Sequence, residues 1–338
     1  MIRQGVSLKT HNSFGVVAKA ALFAVAKSKE DLQLILKDER FRSAWILGGG
    51  SNTVFCDTPK QPIIHVDIAG IKIIEEDNDD DVVINVGAGV NWHELVLWSL
   101  EQGFGGLENL SLIPGNVGAA PIQNIGAYGV ELQDVFERCS FVYRNNQIIE
   151  TFDKAACKFG YRDSIFKNEL KNKVVITDVS LRLKKRNYKL NTSYGAIEQE
   201  LLSYNISVPS PKDVSDAVIN IRSTKLPDPK QLGNAGSFFK NPIVSKSQFQ
   251  KLKTSFADIP HYTQPNGDYK IPAAWLIEQV GMKGIREGEV GTHKHHALVL
   301  VNYGNASGQD IKSFSLNVQE KVQNHFNILL QPEVNFCC

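Results

Sequence analysis

The spacing of apolar and polar positions changes several times along the chain, and each change predicts an element. "KEDLQLILKD" (residues 29–38) carries a short amphipathic helix, and "AWILGGGSN" (44–52) reads as a buried strand broken by glycines. "VVINVGAG" (82–89) predicts another strand. "NWHELVLWSLEQG" (91–103) predicts a helix that stops at Gly103 as a C-terminal glycine would. Between these pairs, the acidic run Glu75–Asp81 reads as a solvated turn joining two strands. Gly106–Leu132 then shows neither helical nor strand period, and an irregular stretch of that length inside a compact domain usually has a function. Strands follow at "CSFVYRN", "QIIETFD" and "KVVITDVSLRLKK". Ser210, Pro211 and Asp213 resemble a capped helix start, after which Val214, Ala217, Val218 and Ile221 share one face. The last third holds a helix at "PAAWLIEQV", a strand at "HHALVLVN" and a long helix from Gln309 to about Asn327, with Ile311, Phe314, Val318 and Val322 as its buried stripe. Strands and helices mix without strict alternation, which predicts the α+β class. Composition shifts near Pro209, and a domain boundary is expected there.

Composition narrows the function. The chain has 338 residues, 42% hydrophobic and 22% charged, enough for a soluble protein of two or three domains. A net charge of +1 without a basic block points away from nucleic acid and from membrane surfaces. The most apolar early run, Val16–Ala26, is too short to span a bilayer and contains Lys19. The cysteines are Cys56, Cys139, Cys157, Cys337 and Cys338, odd in number and without C-x-x-C spacing. They read as reduced thiols of a cytosolic protein, with Cys337 and Cys338 on an exposed tail.

Several motifs could carry chemistry. "LGGGSN" (47–52) is a strand running into a glycine turn, which either cradles a phosphate or is only a turn; it is neither a dinucleotide-binding G-x-G-x-x-G nor a Walker A sequence. "IPGNVGAAPIQNIGAYG" (113–129) spaces Gly115, Gly118, Gly126 and Gly129 among small residues. Its backbone could lie against an extended ligand with Gln123 and Asn124 as hydrogen-bonding groups, or it could be a structural loop. "FGYRDSIFK" (159–167) sets Arg162 between aromatics, either to grip a carboxylate or to pair with Asp163. Lys225 in "TKLPDP" could serve a ligand or the end of a helix. His293, His295 and His296 lack the spacing of a zinc motif, so no metal is expected. "GNAGSFFKNP" (233–242) places Ser237 behind glycines that permit close approach and ahead of aromatics that would exclude water. Glu333 in "QPEVNF" is either a surface carboxylate or a buried acid with a raised pKa.

The order of "GLENLSLIPGNVGAAPIQNIGAYGVEL", "FGYRDSIFK", "TKLPDPK", "GNAGSFFKNP", "AAWLIEQ" and "QPEVNF", from His11 to Phe336, closely resembles the UDP-N-acetylenolpyruvoylglucosamine reductases, flavoenzymes of bacterial peptidoglycan synthesis. The resemblance implies a two-lobed FAD-binding region of the vanillyl-alcohol-oxidase/PCMH type and a separate C-terminal α+β substrate domain. The lobes are expected at 1–70 and 71–208 and the substrate domain at 209–338. It assigns FAD to Gly49, Gly50, Ser51 and Asn52 and to Ile113, Pro114, Gly115, Gly118, Ala119, Ile122, Gln123 and Gly126. NADPH is implied as the reductant and UDP-N-acetylglucosamine enolpyruvate as the substrate, in a ping-pong cycle run by a cytoplasmic monomer. By the same resemblance Ser237 donates the proton, while Arg162 and a protonated Glu333 attend the substrate carboxylate. Lys225, Asn241 and Tyr161 are implied on the substrate side. The insertion "LNTSYGAIEQELLSYNISVPSP" (190–211) is similar to that of the type I branch, whose tyrosine, here Tyr194, closes over the diphosphate. Two stretches depart from the family pattern: "KHHALVLVN" has His295 and His296 where amides are expected, and the chain ends "FCC".

Overall fold

The computed structural model describes residues 2–75, 80–194 and 196–338. Two compact units form, each from several stretches of chain: the first from Met1–Val6, Ala20–Gly50 and Gln61–Thr224, the second from Ser7–Lys19, Ser51–Lys60 and Lys225–Cys338.

The first unit contains two sheets. One has the strand order Arg3–Ser7, Lys19–Ala26, Ile63–Val66, Trp45–Leu47, and its last three strands run parallel. Helix Lys29–Lys37 begins where Ser28 Oγ accepts the Asp31 N–H at 3.0 Å. Its apolar stripe, Leu32, Ile35 and Leu36, packs with Ala24, Ile64 and Val66. The second sheet is antiparallel in the order Ile149–Asp153, Phe136–Tyr143, Val174–Lys184, Asp81–Gly87, Ile71–Glu75. Its alternating Val82, Ile84 and Val86 pack with Trp92, Leu95 and Val96 of helix Trp92–Glu101. Of the acidic run, residues 76–79 lie outside the described residues.

The expected boundary at 209 is corrected. Helix Pro211–Lys225 lies in the first unit up to Thr224, because Val214, Ala217, Val218 and Ile221 form one cluster with Ile197 and Leu201. The Ser215 and Ser111 hydroxyls also share a buried hydrogen bond of 2.7 Å. A change of composition marks the start of this helix, whereas its apolar stripe decides which unit it joins.

The second unit is built around an antiparallel sheet in the order Gly233–Ser237, His296–Asn302, Val290–His293, Arg286–Glu287. Helix Gly308–Phe326 starts with a reciprocal capping box between Ser307 and Asp310 and ends at Asn327 in a left-handed conformation. Ile311, Phe314, Val318 and Val322 bury its inner stripe as expected. Two early segments join this unit for packing reasons. Phe14, Val16 and Val54 enter the same core as Phe238, and the Phe14 and Phe238 rings meet edge to face at 6.2 Å. Strand Thr53–Phe55 pairs in parallel with Asn335–Cys337.

That pairing overturns the reading of the cysteines. Cys56 and Cys338 form a disulfide, with Cα atoms 4.9 Å apart, and Cys337 is buried in the terminal strand. The Cys56 N–H donates to the Cys337 carbonyl at 3.0 Å, so the paired strand carries the last residue to Cys56. Cys139, Cys157 and Cys337 remain free and buried. Among the described residues, no helix is long and apolar enough to cross a membrane.

Candidate active site

In the first unit, the glycine turn and the irregular loop lie against each other. A Cβ on Gly49 would stand 2.6 Å from Asn116 Oδ1 and 3.4 Å from the Gly115 Cα, so only glycine fits without displacing its neighbour. The loop is fixed by main-chain bonds rather than by regular structure. Trp92 N–H donates to Gly115 O at 2.9 Å, Val117 N–H to Val90 O at 2.9 Å and Gly118 N–H to Ala88 O at 2.9 Å. A Cβ on Gly118 would sit 2.5 Å from that of Ala88. Ile113, Pro114, Ala119, Ile122 and Gln123 belong to the same loop, which closes in short 3₁₀ turns, among them Val117–Ala119 and Pro121–Gln123. Asn124 is not a ligand group. It is buried, donates to Glu131 Oε2 at 2.9 Å and Gly160 O at 3.1 Å, and accepts from Gln133 N–H at 3.0 Å. Buried amides are satisfied in this way when they hold a fold together.

A cluster of cations gathers beside this loop, and one member was missed by the pattern reading. Arg222 lies in helix Pro211–Lys225, four residues after Val218 and eight after Val214, so a charge at an apolar-face position was the signal that could have found it. Its Nε is sealed from solvent without a hydrogen-bond partner, while Nη2 donates to Leu112 O at 3.3 Å. Burial holds the guanidinium below its usual pKa, and the Arg162 charge pushes the same way. Tyr128 opposes it through a hydrogen bond and its own charge when ionised. Burial in turn raises the Tyr128 hydroxyl. His93 is lowered first by burial and then by Arg222, and its Nδ1 accepts the Leu112 N–H at 3.1 Å. Arg162 Nη2 donates to Gly126 O at 2.7 Å, while Asp163 accepts from Asn168 at 2.9 Å. The Arg162 guanidinium lies 5.9 Å from the centre of the Tyr161 ring. Tyr194 is 51% exposed, its ring edge-on to Tyr128 at 6.3 Å. Leu112, Tyr128 and Arg162 all have φ between 50° and 56°. Non-glycine residues avoid that region, and such strain concentrates at functional sites. The Arg222 guanidinium, with its buried Nε–H unpartnered, makes a place prepared for an electron-rich group.

In the second unit, Ser237 ends a strand and is exposed. The register slips between Asn234 and Ser237, and Gly236 takes φ +69° with its N–H bonded to Asn234 Oδ1 at 2.8 Å. Such a bulge re-aims the following side chain. The two glycines therefore do different work. Gly233 admits the main chain of Phe14 rather than a ligand, and Gly236 supplies the turn. Phe238 and Phe239 do not shield the serine as expected; both are sunk in the core. Main-chain pairing brings Glu333 beside this segment. Glu333 N–H donates to Phe238 O at 2.8 Å, and Lys240 N–H donates to Gln331 O at 2.9 Å.

Other expected contacts are partly committed elsewhere. Asn52 Nδ2 donates to Glu333 O at 3.0 Å, and Ser51 O accepts from Ser13 Oγ at 3.3 Å, so these two residues serve the second unit, while Gly50 belongs to the first. Asn241 Oδ1 caps helix Ala273–Gln279 by accepting the Ala273 N–H at 2.9 Å. Lys225 is the exposed last residue of its helix and one of the cations that lower His296, after burial and His293. The expected residues thus divide: Arg162, Tyr161 and Tyr194 belong to the first unit, Ser237, Lys225, Asn241 and Glu333 to the second. Among the described residues, no group of three or more His, Cys, Asp or Glu side chains could hold a metal ion.

Residues 20–151 match the family model "FAD binding domain", and residues 228–337 match "UDP-N-acetylenolpyruvoylglucosamine reductase, C-terminal domain". A UDP-N-acetylenolpyruvoylglucosamine reductase from Flavobacterium johnsoniae is 52% identical over 334 residues, 99% of either chain. The chain belongs to the UDP-N-acetylenolpyruvoylglucosamine reductase family. Another member, from Pseudomonas aeruginosa, is 44% identical over 336 residues, 99% of this chain and 98% of its own. The crystal structure of the Thermus caldophilus UDP-N-acetylenolpyruvylglucosamine reductase shares the fold, with a TM-score of 0.68 over 100% of both chains at 24% identity. Family membership makes this chain an FAD-dependent oxidoreductase of peptidoglycan precursor synthesis. The residues present fit that cofactor: the cradle at Gly49 and Asn116 has no room for a Cβ, and the Arg222 N–H is left for an acceptor.

Proposed function

We propose that the chain reduces the enolpyruvyl ether of UDP-N-acetylglucosamine enolpyruvate to the lactyl ether of UDP-N-acetylmuramate, with NADPH as the reductant and the two substrates taking turns. The turn at Gly49 and Gly50 and the 113–126 loop would hold FAD, which when bound would supply two-electron hydride chemistry between NADPH and the terminal vinyl carbon. The protein's own groups do the rest. Arg222 would offer its positive charge and unpartnered Nε–H to bound FAD, and Arg162 would offer its charge to the substrate carboxylate. Negative charge spreads from the neighbouring carbon into that carboxylate as an enolate. Glu333, protonated, hydrogen-bonds to it, and Ser237 Oγ–H gives its proton to the carbon. Lys225 and the Asn241 amide nitrogen meet the diphosphate and sugar, Tyr161 lies on the same substrate side, and Tyr194 closes over them.

The observation that carries this reading is the bulge at Gly236, which leaves Ser237 exposed one residue before Phe238, whose carbonyl accepts the Glu333 N–H. An alcohol is a weak acid and works only when held within reach of the carbon it protonates. Ser237→Ala in anaerobic stopped flow provides the test. Bleaching of the flavin absorbance by NADPH should keep its rate, while recovery on adding the enolpyruvyl substrate should slow about 10²–10⁴-fold, the range of general acid catalysis. Equal slowing of both halves would remove Ser237 from the proton-transfer role.

A further inference from the structure

The carboxyl-terminal segment that includes Glu333 and strand Asn335–Cys337 is closed covalently by a disulfide. Its anchors are Glu333 N–H to Phe238 O at 2.8 Å, Asn335 N–H to Asn52 O at 3.0 Å and Asn52 Nδ2 to Glu333 O at 3.0 Å. Asn335–Cys337 then pairs with Thr53–Phe55, and the Cys56–Cys338 disulfide joins residues 282 apart in sequence. The two sulfurs are unlike. Cys56 is 7% exposed, whereas Cys338 is exposed at the chain end with Lys312 Nζ 3.7 Å from its sulfur. An ammonium at that distance favours a thiolate over a thiol, the condition for exchange chemistry. The neighbouring Cys337 has no such help: burial pushes its thiol up to about 12, which leaves it inert.

We propose that Cys56 and Cys338 form a reversible thiol–disulfide latch, operated by low-molecular-weight thiols and their disulfides, that fixes the terminal strand just after Glu333. Opening begins when a small thiolate attacks the accessible Cys338 sulfur. The bond to Cys56 breaks, Cys56 leaves as a thiolate and takes a proton, and a mixed disulfide remains on Cys338. A second small thiolate releases Cys338 beside Lys312. In sum, the protein disulfide and two small thiols give two protein thiols and one small disulfide; closing runs the same steps in reverse. A disulfide accessible at one sulfur is of the exchangeable kind in a thiol-rich compartment. Once opened, the segment keeps its hydrogen bonds and the packing of Val334 and Phe336 but loses its covalent tie, and the Glu333 segment becomes more mobile.

The latch governs catalysis only if Glu333 acts as proposed above, so the test reads the two claims separately. The purified flavoprotein is equilibrated with graded mixtures of reduced and oxidised glutathione, quenched by alkylation and mapped by mass spectrometry. A Cys56–Cys338 linkage that appears and disappears reversibly is expected. Full alkylation of both residues at every ratio, or a linkage that no thiol opens, overturns the latch. Hydrogen exchange of residues 331–338 should be faster in the dithiol form and in Cys338→Ser; equal exchange in both redox forms also overturns it. In stopped flow, opening should slow the enolpyruvyl half-reaction about tenfold, short of the roughly 10²-fold that a 1 Å misplacement brings. NADPH bleaching should not change. Slowed tail exchange on closure without any enolpyruvyl turnover in either form would leave the latch standing and sink the reductase reading instead.

Discussion

The 106–132 loop and the strand carrying Ser237 solve one problem, holding an exact local geometry, by opposite means. The serine strand is regular. Val299 pairs with Ser237 across an antiparallel ladder, and a single torsional exception, Gly236 at φ +69°, turns the side chain outward. Nothing lies within 4 Å of the Cβ that Gly236 lacks, so that glycine is needed for its torsion. The 106–132 loop is irregular, and Gly118 in it, like Gly49 in the turn facing it, has an ordinary torsion but no room. Its positive-φ positions include glycines, Gly115 and Gly129 among them, but also Leu112 and Tyr128, residues that dislike the left-handed region. A strand needs one exemption because the ladder fixes all else. A loop without a ladder is fixed by close contact and by strain that its surroundings must absorb.

Two alanines separate these devices. Gly118→Ala puts a methyl 2.5 Å from the Ala88 Cβ and 3.1 Å from its main chain, where no rotamer gives relief. It should cost about 1–3 kcal/mol, the usual cost of overpacking, and lower the flavin-to-protein absorbance ratio of the purified enzyme. Gly236→Ala should cost about 1–2 kcal/mol through its torsion alone. It should leave the flavin ratio unchanged and slow only the enolpyruvyl half-reaction. Flavin loss in Gly236→Ala, or a normal flavin ratio in Gly118→Ala, would break the comparison.

The contrast also explains what could be read beforehand. Regular elements were legible because apolar period and caps are local: Val214, Ala217, Val218 and Ile221 lie buried on one helical face. The loop stood out as a candidate site only because irregularity of that length is rare, and its proposed FAD contacts were named through family resemblance. Three features were hidden. Arg222 continues the stripe of Val214, Ala217, Val218 and Ile221 at i+8, a charge on the apolar face that the pattern reading passed over, and only the fold shows its Nε enclosed. The Cys56–Cys338 bond depends on a parallel pairing of distant strands, which leaves no local trace. The unit boundary followed the apolar stripe of a helix rather than the composition shift at its start. Asn124 taught the reverse lesson, since an amide in a binding loop can be wholly consumed in holding that loop.

Arg222 sharpens the comparison further, because it belongs to neither device. It sits on a regular helix yet faces the irregular loop. A buried cation without a carboxylate contributes little to folding, and replacing it with an apolar group of similar length is often neutral. Arg222→Met should therefore keep its melting temperature, within about 1 kcal/mol of the parent. It should slow bleaching of the flavin by NADPH while retaining bound FAD. A large loss of stability would make Arg222 structural and leave the loop without its cation.

The smallest effect is a pH dependence at His93. Its native pKa lies below the ordinary value of 6.5, first because of burial and second because of Arg222. The neutral ring is also the form whose Nδ1 can accept the Leu112 N–H. The unfolded chain binds the proton more readily than the native one, so stability rises with pH through this interval. The contribution is fully present above 6.5 and is lost as pH falls through that value toward the lower native one. Melting curves between about pH 5 and 8, where an ordinary histidine titrates, should show this slope, and His93→Gln should flatten it. Arg222→Met should reduce the slope without abolishing it, because burial is the larger cause. If the slope vanishes in Arg222→Met, then charge repulsion rather than desolvation sets the state of His93, and the helix governs the loop more strongly than the packing around it does.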